Sequence, residues 1–282
     1  MLSLEPVVDP SEYGDQDLLN TLRHVAGFLR SYTAGADSAF VSPYEARLQA
    51  AFRRLSPALG VSLPDDVDSD RMNTLVIQRL SAKDGGTLAR ASIEQFLRDG
   101  LAIVREAGHA HRRGLRGSGV VEQLFRSGGG VPKAPVETVI VGVRGIVGDG
   151  QTHRQHHGRP FQALSLFCTE LVDELRREGH PIVAGGVGEN VVTSGLDWTV
   201  LQPGVQFRIG TAVAEISCFA DPCSQIAHNF AGRNFSRIDE ERFPGSGRRY
   251  AWVLEPGRIA VGDTITVGDA VTVGEPDGNV RS

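Results

Sequence analysis

Sulfur chemistry is the first possibility that this sequence raises, because it contains three cysteines, Cys168, Cys218 and Cys223. Cys168 and Cys218 lie within an amphipathic run and an alternating strand pattern, which is typical of small buried side chains. Cys223 instead precedes a helix-like run over residues 225–230. If a helix begins there, its free N–H groups and its dipole favour a thiolate. Cys223 is therefore the candidate for chemistry at sulfur.

A second candidate is the cationic cluster at residues 153–159, directly before a helix predicted from Pro160 to Glu178. The backbone N–H groups of that helix and the side chains of His156, His157 and Arg159 would converge on an anion. A solvated loop is the plain alternative. Zinc is not expected, since neighbouring side chains rarely converge on one ion and no cysteine or carboxylate has ligand spacing to these histidines.

Two glycine-rich segments add polar candidates. Residues 127–133 superficially resemble a phosphate loop, but they lack the GxxxxGK[ST] spacing and Pro132 removes an amide donor, so nucleotide binding is not expected. Residues 185–190 suit a hairpin turn, or a pocket lip formed by Glu189 and Asn190. Asp149, between two glycines, is compatible with either a turn or a site.

The elements that must position these residues differ between the two halves of the chain. The first half favours helices, because apolar residues recur with a period of 3.6. The predictions are helices over 17–32, from a capping box at Ser42–Glu45, over 70–80, and from Thr87 to a C-cap at Gly108. Together they indicate a small all-α helical bundle.

The second half has short β-rich runs separated by glycine turns. The predicted strands cover 136–143, 206–209, 213–219, 250–254 and 264–267. This spacing favours a barrel over a parallel doubly wound sheet. The basic, glycine-rich stretch 109–119 has the composition of a linker, so we predict a helical domain at 1–112 and a second domain at 113–282.

Composition argues against two classes of binding partner, nucleic acids and membranes. The net charge of −5 and a pI near 5.9 argue against bulk attraction to nucleic acid or to an anionic membrane. No apolar stretch approaches the ~20 residues of a membrane helix, and the first residues have no signal-peptide pattern. Three cysteines are too few for a disulfide framework, so a cytoplasmic location with free thiols is expected.

Several blocks of the C-terminal half stand in an order that resembles the MOSC family, named for the C-terminal domain of molybdenum cofactor sulfurases. The resemblance covers about half of the chain, roughly 118–270, and no single block would suffice for it. The blocks are SGGGVPK at 127–133, GIVGDGQTHRQHHGRP at 145–160, EGHP at 178–181, GVGEN at 186–190, GLDW at 195–198, LQPGVQFRIG at 201–210, ADPC at 220–223 and PGSGRRYAWVLEPG at 244–257.

This resemblance implies an α+β fold, a MOSC-type β-barrel with peripheral helices that follows the helical bundle. It implies that Cys223 is the catalytic residue and the metal ligand, either binding molybdenum of the molybdenum cofactor (molybdopterin) or carrying sulfur. The remaining matched residues would bind the cofactor. They are Lys133, Asp149, His156, His157, Arg159, Glu189 and Asn190.

Some members of the family are linked to reduction of N-hydroxylated bases, which makes a molybdenum-dependent reductase the first functional expectation. An electron-donor protein would be needed, because the sequence has no flavin, haem or iron–sulfur motif. The alternative is a sulfur or cofactor carrier, or a sensor, with a persulfide on Cys223 and no catalysis of its own. In either case the ligand is a small molecule or the pterin itself.

Two departures from the family pattern limit what carries over. Many members have a second glycine where this chain has Arg159 after Gly158. The β-rich N-terminal partner of the amidoxime-reducing members and the pyridoxal-phosphate domain of the sulfurases are not found in this sequence. Desulfurase activity by this chain alone is therefore not expected, and pyridoxal phosphate is a label that belongs to relatives.

Overall fold

Four helices open the part of the chain that the computed structural model describes, which is residues 9–82, 89–150 and 158–268. They are α1 (Asp15–Tyr32), α2 (Ser38–Leu59), α3 (Ser69–Leu80) and α4 (Arg90–His111). The predicted apolar stripe of α1 is buried, with Leu18, Leu22 and Val25 fully inaccessible. Within the described residues, no helix has both the length and the apolarity of a membrane span.

The start of α2 differs from the sequence prediction. Asp37 caps the helix, because its Oδ1 accepts from the Phe40 N–H at 2.8 Å. The predicted start at Ser42 was therefore wrong, and Pro43 lies inside the helix. The Glu45 carboxylate instead accepts from the Ser69 N–H at 2.7 Å, so it stabilises the first residue of α3 and does not cap its own helix.

The end of α4 also differs. Gly108 was predicted to end this helix, but the helix continues to His111. Gly108 packs against Tyr32 and Gly204 at a distance that leaves no room for a Cβ, so its small size serves close packing and not capping. Thr87, the predicted first residue of this helix, lies outside the described residues.

The predicted linker at 109–119 is mostly regular structure. Its first residues complete α4, and residues from Gly117 onward belong to the first strand. Periodicity could not reveal this, because the contacts that hold the segment are long-range. The division into domains after residue 112 stays a prediction.

Seven strands close into a barrel among the described residues. Their spatial order is β1, β11, β7, β8, β9, β5, β6 and back to β1, and β2 pairs with β1 outside the ring. Only β5 and β6 run parallel. A separate small sheet has the order β10, β3, β4. The strands are β1 (Gly117–Arg126), β2 (Ala134–Val136), β3 (Thr138–Gly142), β4 (Gly145–Ile146), β5 (Leu164–Cys168), β6 (Val191–Ser194), β7 (Gln206–Ile209), β8 (Ala212–Ala220), β9 (Arg248–Glu255), β10 (Gly257–Ala260) and β11 (Thr264–Val267).

The helix predicted from Pro160 to Glu178 is only half right. Pro160–Gln162 is a 3-10 turn, Leu164–Cys168 is strand β5, and only Thr169–Arg177 forms a helix, α5. Every residue of β5 is buried, because β5 lies between β6 and β9. A short, mostly apolar run fits a buried strand and a buried helix equally well, and periodicity cannot separate the two.

The helical part and the barrel part share one hydrophobic cluster. Phe161 and Trp252 belong to the barrel part, yet both pack within the core of the helices. The Phe28 ring of α1 lies 5.2 Å from the Phe161 ring and 5.9 Å from the Trp252 ring, in edge-on arrangements that aromatic pairs favour. The helices are therefore packed against the barrel and not tethered beside it.

A buried carboxylate lies at the same boundary. Glu215 of β8 is fully inaccessible, and its oxygens receive hydrogen bonds from the Tyr32 hydroxyl at 3.1 Å and the Arg105 Nε at 3.2 Å. His109 Nε2 lies 2.7 Å from it, and Gln206 donates at 3.2 Å. Burial alone would raise the pKa of Glu215, but the charges and hydrogen bonds of Arg105 and His109 outweigh it and lower that pKa to about 2.

The Arg105→Met substitution tests this cluster. We expect it to lower the free energy of unfolding by about 3–5 kcal/mol, because it leaves a buried carboxylate without its main counter-charge. Urea unfolding measures the loss. The control is Arg47→Met, which breaks the half-exposed Arg47–Glu106 pair and should cost less than about 1 kcal/mol. Equal losses in the two variants would contradict this account.

Stability should also depend on pH through Glu215. Its pKa lies near 2 in the folded chain against an ordinary 4.5, so the unfolded chain takes up the proton first as pH falls. The stabilisation is complete above the ordinary pKa and is lost as pH falls from there towards 2. Unfolding measured across this range should show a shallower slope for Glu215→Gln than for the parent chain; identical slopes would show that Glu215 is not the group responsible.

Candidate functional site

A cleft of about 420 Å³ in the barrel part contains Cys223. Its walls come from several places in the chain: the loop before β2, the residue Gly150, the turn at 158–162, strand β5, the turn before β6, strand β9 and the segment after β8. The predicted residues Lys133 and Asn190 line the same cleft. Folding thus brings together residues that are as much as 90 positions apart in sequence.

Cys223 follows β8 in an extended conformation, with φ −131°, and its side chain is partly exposed. The predicted helix after it is a 3-10 segment, Ser224–Asn229. Cys223 is the N-cap of this segment, but a segment of 6 residues has only a weak dipole, so the thiolate stays a prediction. What distinguishes Cys223 is its position in the cleft. The other two cysteines do not line it.

Lys133, Asp149 and Asn190 form one buried polar group. The Lys133 ammonium lies 2.7 Å from Asp149 Oδ2, to which the Asn190 amide also donates at 2.9 Å. Burial lowers the pKa of Lys133, while the neighbouring Asp149 charge opposes that effect. Asp149 does not line the cleft itself. Its carboxylate instead contacts Lys133 and Asn190, which do line the cleft, and holds their side chains in place.

Glu189 is placed differently from the predicted pocket lip. Its carboxylate is fully buried and accepts from the N–H groups of Gly185 at 2.7 Å and Val187 at 3.1 Å. Burial raises its pKa. Glu189 therefore closes the turn that precedes it and does not line the cleft, whereas Val187 and Gly188 of that turn do.

The cationic cluster is described only from Gly158 onward, and His156 and His157 lie outside the described residues. Gly158 lines the cleft. The Arg159 guanidinium lies 5.6 Å from the Phe161 ring, and its Nη1 is 3.5 Å from His24 Nε2 of α1. Because Pro160–Gln162 is a single 3-10 turn, the predicted α-helix N-terminus beside this cluster was wrong, and the anion site on its side chains stays a prediction.

Among the cleft residues that the sequence analysis did not identify are Arg248 and Tyr250 on β9. Arg248 is 5% exposed and donates through Nη1 to the Val187 carbonyl, while its Nε has no partner among the described residues. Burial raises the pKa of Tyr250, which keeps its phenol neutral. The sequence pattern that could have identified them is the alternation of side chains along a strand, because positions 248, 250 and 252 share one face.

Further polar atoms in the cleft lack partners. Ser165 Oγ and Gln162 Oε1 are buried without a hydrogen bond among the described residues, as is Arg248 Nε. Buried polar atoms without partners are costly, and they commonly mark the place of a water, an ion or a ligand. Two cationic side chains, the buried Arg248 and the partly buried Lys133, give the cleft the chemistry to bind an anionic group. Its Cys223 sulfur adds a soft ligand atom.

The three thiols should differ in reactivity. Burial raises the pKa of Cys168 and Cys218 to about 12, so almost none of either is thiolate near neutral pH. Cys223 is partly exposed in an open cleft. We expect iodoacetamide to modify Cys223 first, as followed by peptide mass spectrometry on the folded protein. Modification of Cys218 or Cys168 ahead of Cys223 would contradict this assignment.

Part of this chain is similar in sequence to known bacterial proteins. The chain is 28% identical over 141 residues to YflK of Bacillus subtilis, and 26% identical over 124 residues to YiiM of Escherichia coli. These alignments span 48% and 42% of this chain, but only 62% and 53% of the two relatives. The crystal structure of YiiM from Escherichia coli aligns with a TM-score of 0.42 at 21% identity, covering 55% of this chain and 71% of that one.

The YUAD protein from Bacillus subtilis aligns with a TM-score of 0.41 at 21% identity, over 54% of this chain and 96% of that one. The sequence profile of the MOSC domain matches residues 153–266, a range that includes Cys223, Arg248 and Tyr250. Over this C-terminal range, the chain is similar to the MOSC domain family.

Proposed function

We propose that the Cys223 cleft binds the molybdenum cofactor and that the chain takes part in molybdenum-dependent reduction of N-hydroxylated compounds. The observation that carries this proposal is the presence of Cys223 in one cleft with two cationic side chains, the buried Arg248 and the partly buried Lys133. A soft sulfur ligand beside an anion-binding wall suits a metal held by an anionic pterin.

The anionic end of the pterin would contact Arg248 and Lys133. The Lys133 ammonium already has Asp149 as its counter-charge, whereas Arg248 has a carbonyl partner and an Nε without any described partner. Desolvating a guanidinium without an anion is costly, so an anionic ligand would satisfy this group. Ser165 and Gln162 would supply further hydrogen bonds.

The Cys223 Sγ would be the protein's ligand to molybdenum. No cluster of three or more His, Cys, Asp or Glu side chains suited to a metal ion is found in the ranges that the structure describes. A single thiolate fits a metal whose remaining ligands come with the pterin. When bound, the cofactor supplies the redox chemistry that an N–O bond requires, and the protein supplies binding and orientation.

Reduction of an N-hydroxylated compound to the amine and water consumes two electrons and two protons. An electron-donor protein would supply the electrons. Tyr250 would hold a proton beside the cleft, because burial raises the pKa of its phenol and keeps it protonated. A cytoplasmic location is part of this proposal, because Cys223 must remain a free thiol and a reducing compartment keeps it so.

Metal and pterin analysis of the purified protein, produced together with the enzymes of cofactor synthesis, tests the proposal. We expect the parent chain to retain molybdenum and pterin in equal amounts. Cys223→Ala should lose molybdenum, and Arg248→Met should lose the pterin as well, since its anionic end loses its main contact. Cys218→Ala is the matched control, because Cys218 does not line the cleft and should retain both.

A parent chain that never retains molybdenum or pterin would overturn the proposal. In that case the carrier function can be tested on the same protein by exposing it to a sulfur donor and measuring its intact mass. A gain of one sulfur atom in the parent chain that is absent in Cys223→Ala would favour a persulfide carrier.

A further inference from the structure

We propose that the N-terminal helix α1 acts as a positioning element for one wall of the Cys223 cleft, although none of the described residues of the helices lines the cleft itself. This inference rests on the proposed function in one respect, because it takes the Cys223 cleft as the functional site. Its basis is a contact surface that we call the aromatic seam, defined by His24 and Phe28 of α1 together with Phe161 and Trp252 of the barrel part.

Phe161 is the centre of the aromatic seam. Its ring lies 4.9 Å from the His24 ring, 5.2 Å from the Phe28 ring and 5.8 Å from the Trp252 ring. The side chain is 1% exposed, and it belongs to the hydrophobic cluster of the helices rather than to that of the barrel. Its carbonyl accepts from the Ser217 hydroxyl of β8. Phe161 is thus held on one side by α1 and on the other by the barrel.

The first connection to the cleft runs along the chain. Gln162, the neighbour of Phe161, lines the cleft, as does Gly158 at the other end of the same turn. A shift of the Phe161 ring must therefore move the backbone of this wall. Core packing is dense enough that removal of one ring in a cluster is felt by its neighbours.

The second connection runs through β9. Arg248, Tyr250 and Trp252 lie on one face of this strand, because alternate residues of a strand point the same way. The first two line the cleft and the third packs against α1. Trp252 Nε1 also donates to the Tyr32 hydroxyl of α1 at 3.2 Å. Helix α1 therefore contacts both elements that carry this wall.

His24 adds a polar contact to the aromatic seam. Its Nδ1 lies 2.6 Å from the Asn20 carbonyl, so Nδ1 carries the proton and donates to that oxygen. The other nitrogen, Nε2, then faces the Arg159 guanidinium at 3.5 Å. Burial lowers the pKa of His24, and the nearby Arg159 charge acts in the same direction, which keeps the ring neutral. Helix α1 thereby also holds the residue that replaces a glycine of the family pattern.

The test measures the alkylation rate of Cys223 by iodoacetamide in the cofactor-free protein. We expect His24→Ala and Phe28→Ala to raise this rate by about tenfold, because a loosened wall opens more often. His24 is only partly buried, so its variant should fold. His24→Phe should bring the rate back towards that of the parent chain, since it restores a ring against Phe161.

The matched control is Phe52→Ala. Phe52 is fully buried in α2 in the same hydrophobic cluster, but its ring pairs with Phe96 at 4.6 Å and not with a ring of the aromatic seam. It should lower the melting temperature as Phe28→Ala does, without changing the alkylation rate. Parent-like rates in both seam variants, or an equal rise in Phe52→Ala, would overturn the inference. The readout needs no cofactor, so failure to retain molybdenum or pterin would count against the proposed function alone.

Discussion

The buried carboxylate of Glu215 joins the helical part of this molecule to the barrel part. Glu215 lies on a barrel strand, but Arg105, His109 and Tyr32, which satisfy it, all belong to the helices. A buried charge without these partners would be strongly unfavourable. The barrel therefore depends on side chains of the helices to satisfy the charge and the hydrogen bonds of Glu215. Because hydrogen bonds are directional, the same contacts fix the orientation of the helices.

The same contact surface reaches the Cys223 cleft. Tyr32 touches Glu215 on one side and Trp252 on the other, and Trp252 lies on the strand face that carries Arg248 and Tyr250. Charge burial and aromatic packing thus act on the same strand pair, β8 and β9. Helix α1 accordingly packs against elements that carry the cleft, although the described residues that line it all belong to the barrel part.

Errors of prediction occurred where local pattern and tertiary environment conflict. The apolar spacing from Leu164 to Leu175 is compatible with a helix, but burial between two strands made Leu164–Cys168 a strand. Gly108 has the residue type of a helix cap, but close packing against Tyr32 explains it better. Glu189 has the charge of a site residue, but its carboxylate holds a turn. In each case a distant contact decided the outcome.

The sequence by itself determined the helical character of the first part, five of the strands in outline, and the candidacy of Cys223, Lys133 and Asn190. These follow from periodicity, turn residues and ordered blocks, which are local properties. Only the tertiary structure decided the closure of the barrel, the burial of Glu215, and the convergence of Arg248 and Tyr250 on Cys223. The physical reason is that strand pairing and charge burial join residues far apart in the chain, and local spacing does not encode which distant partner each residue meets.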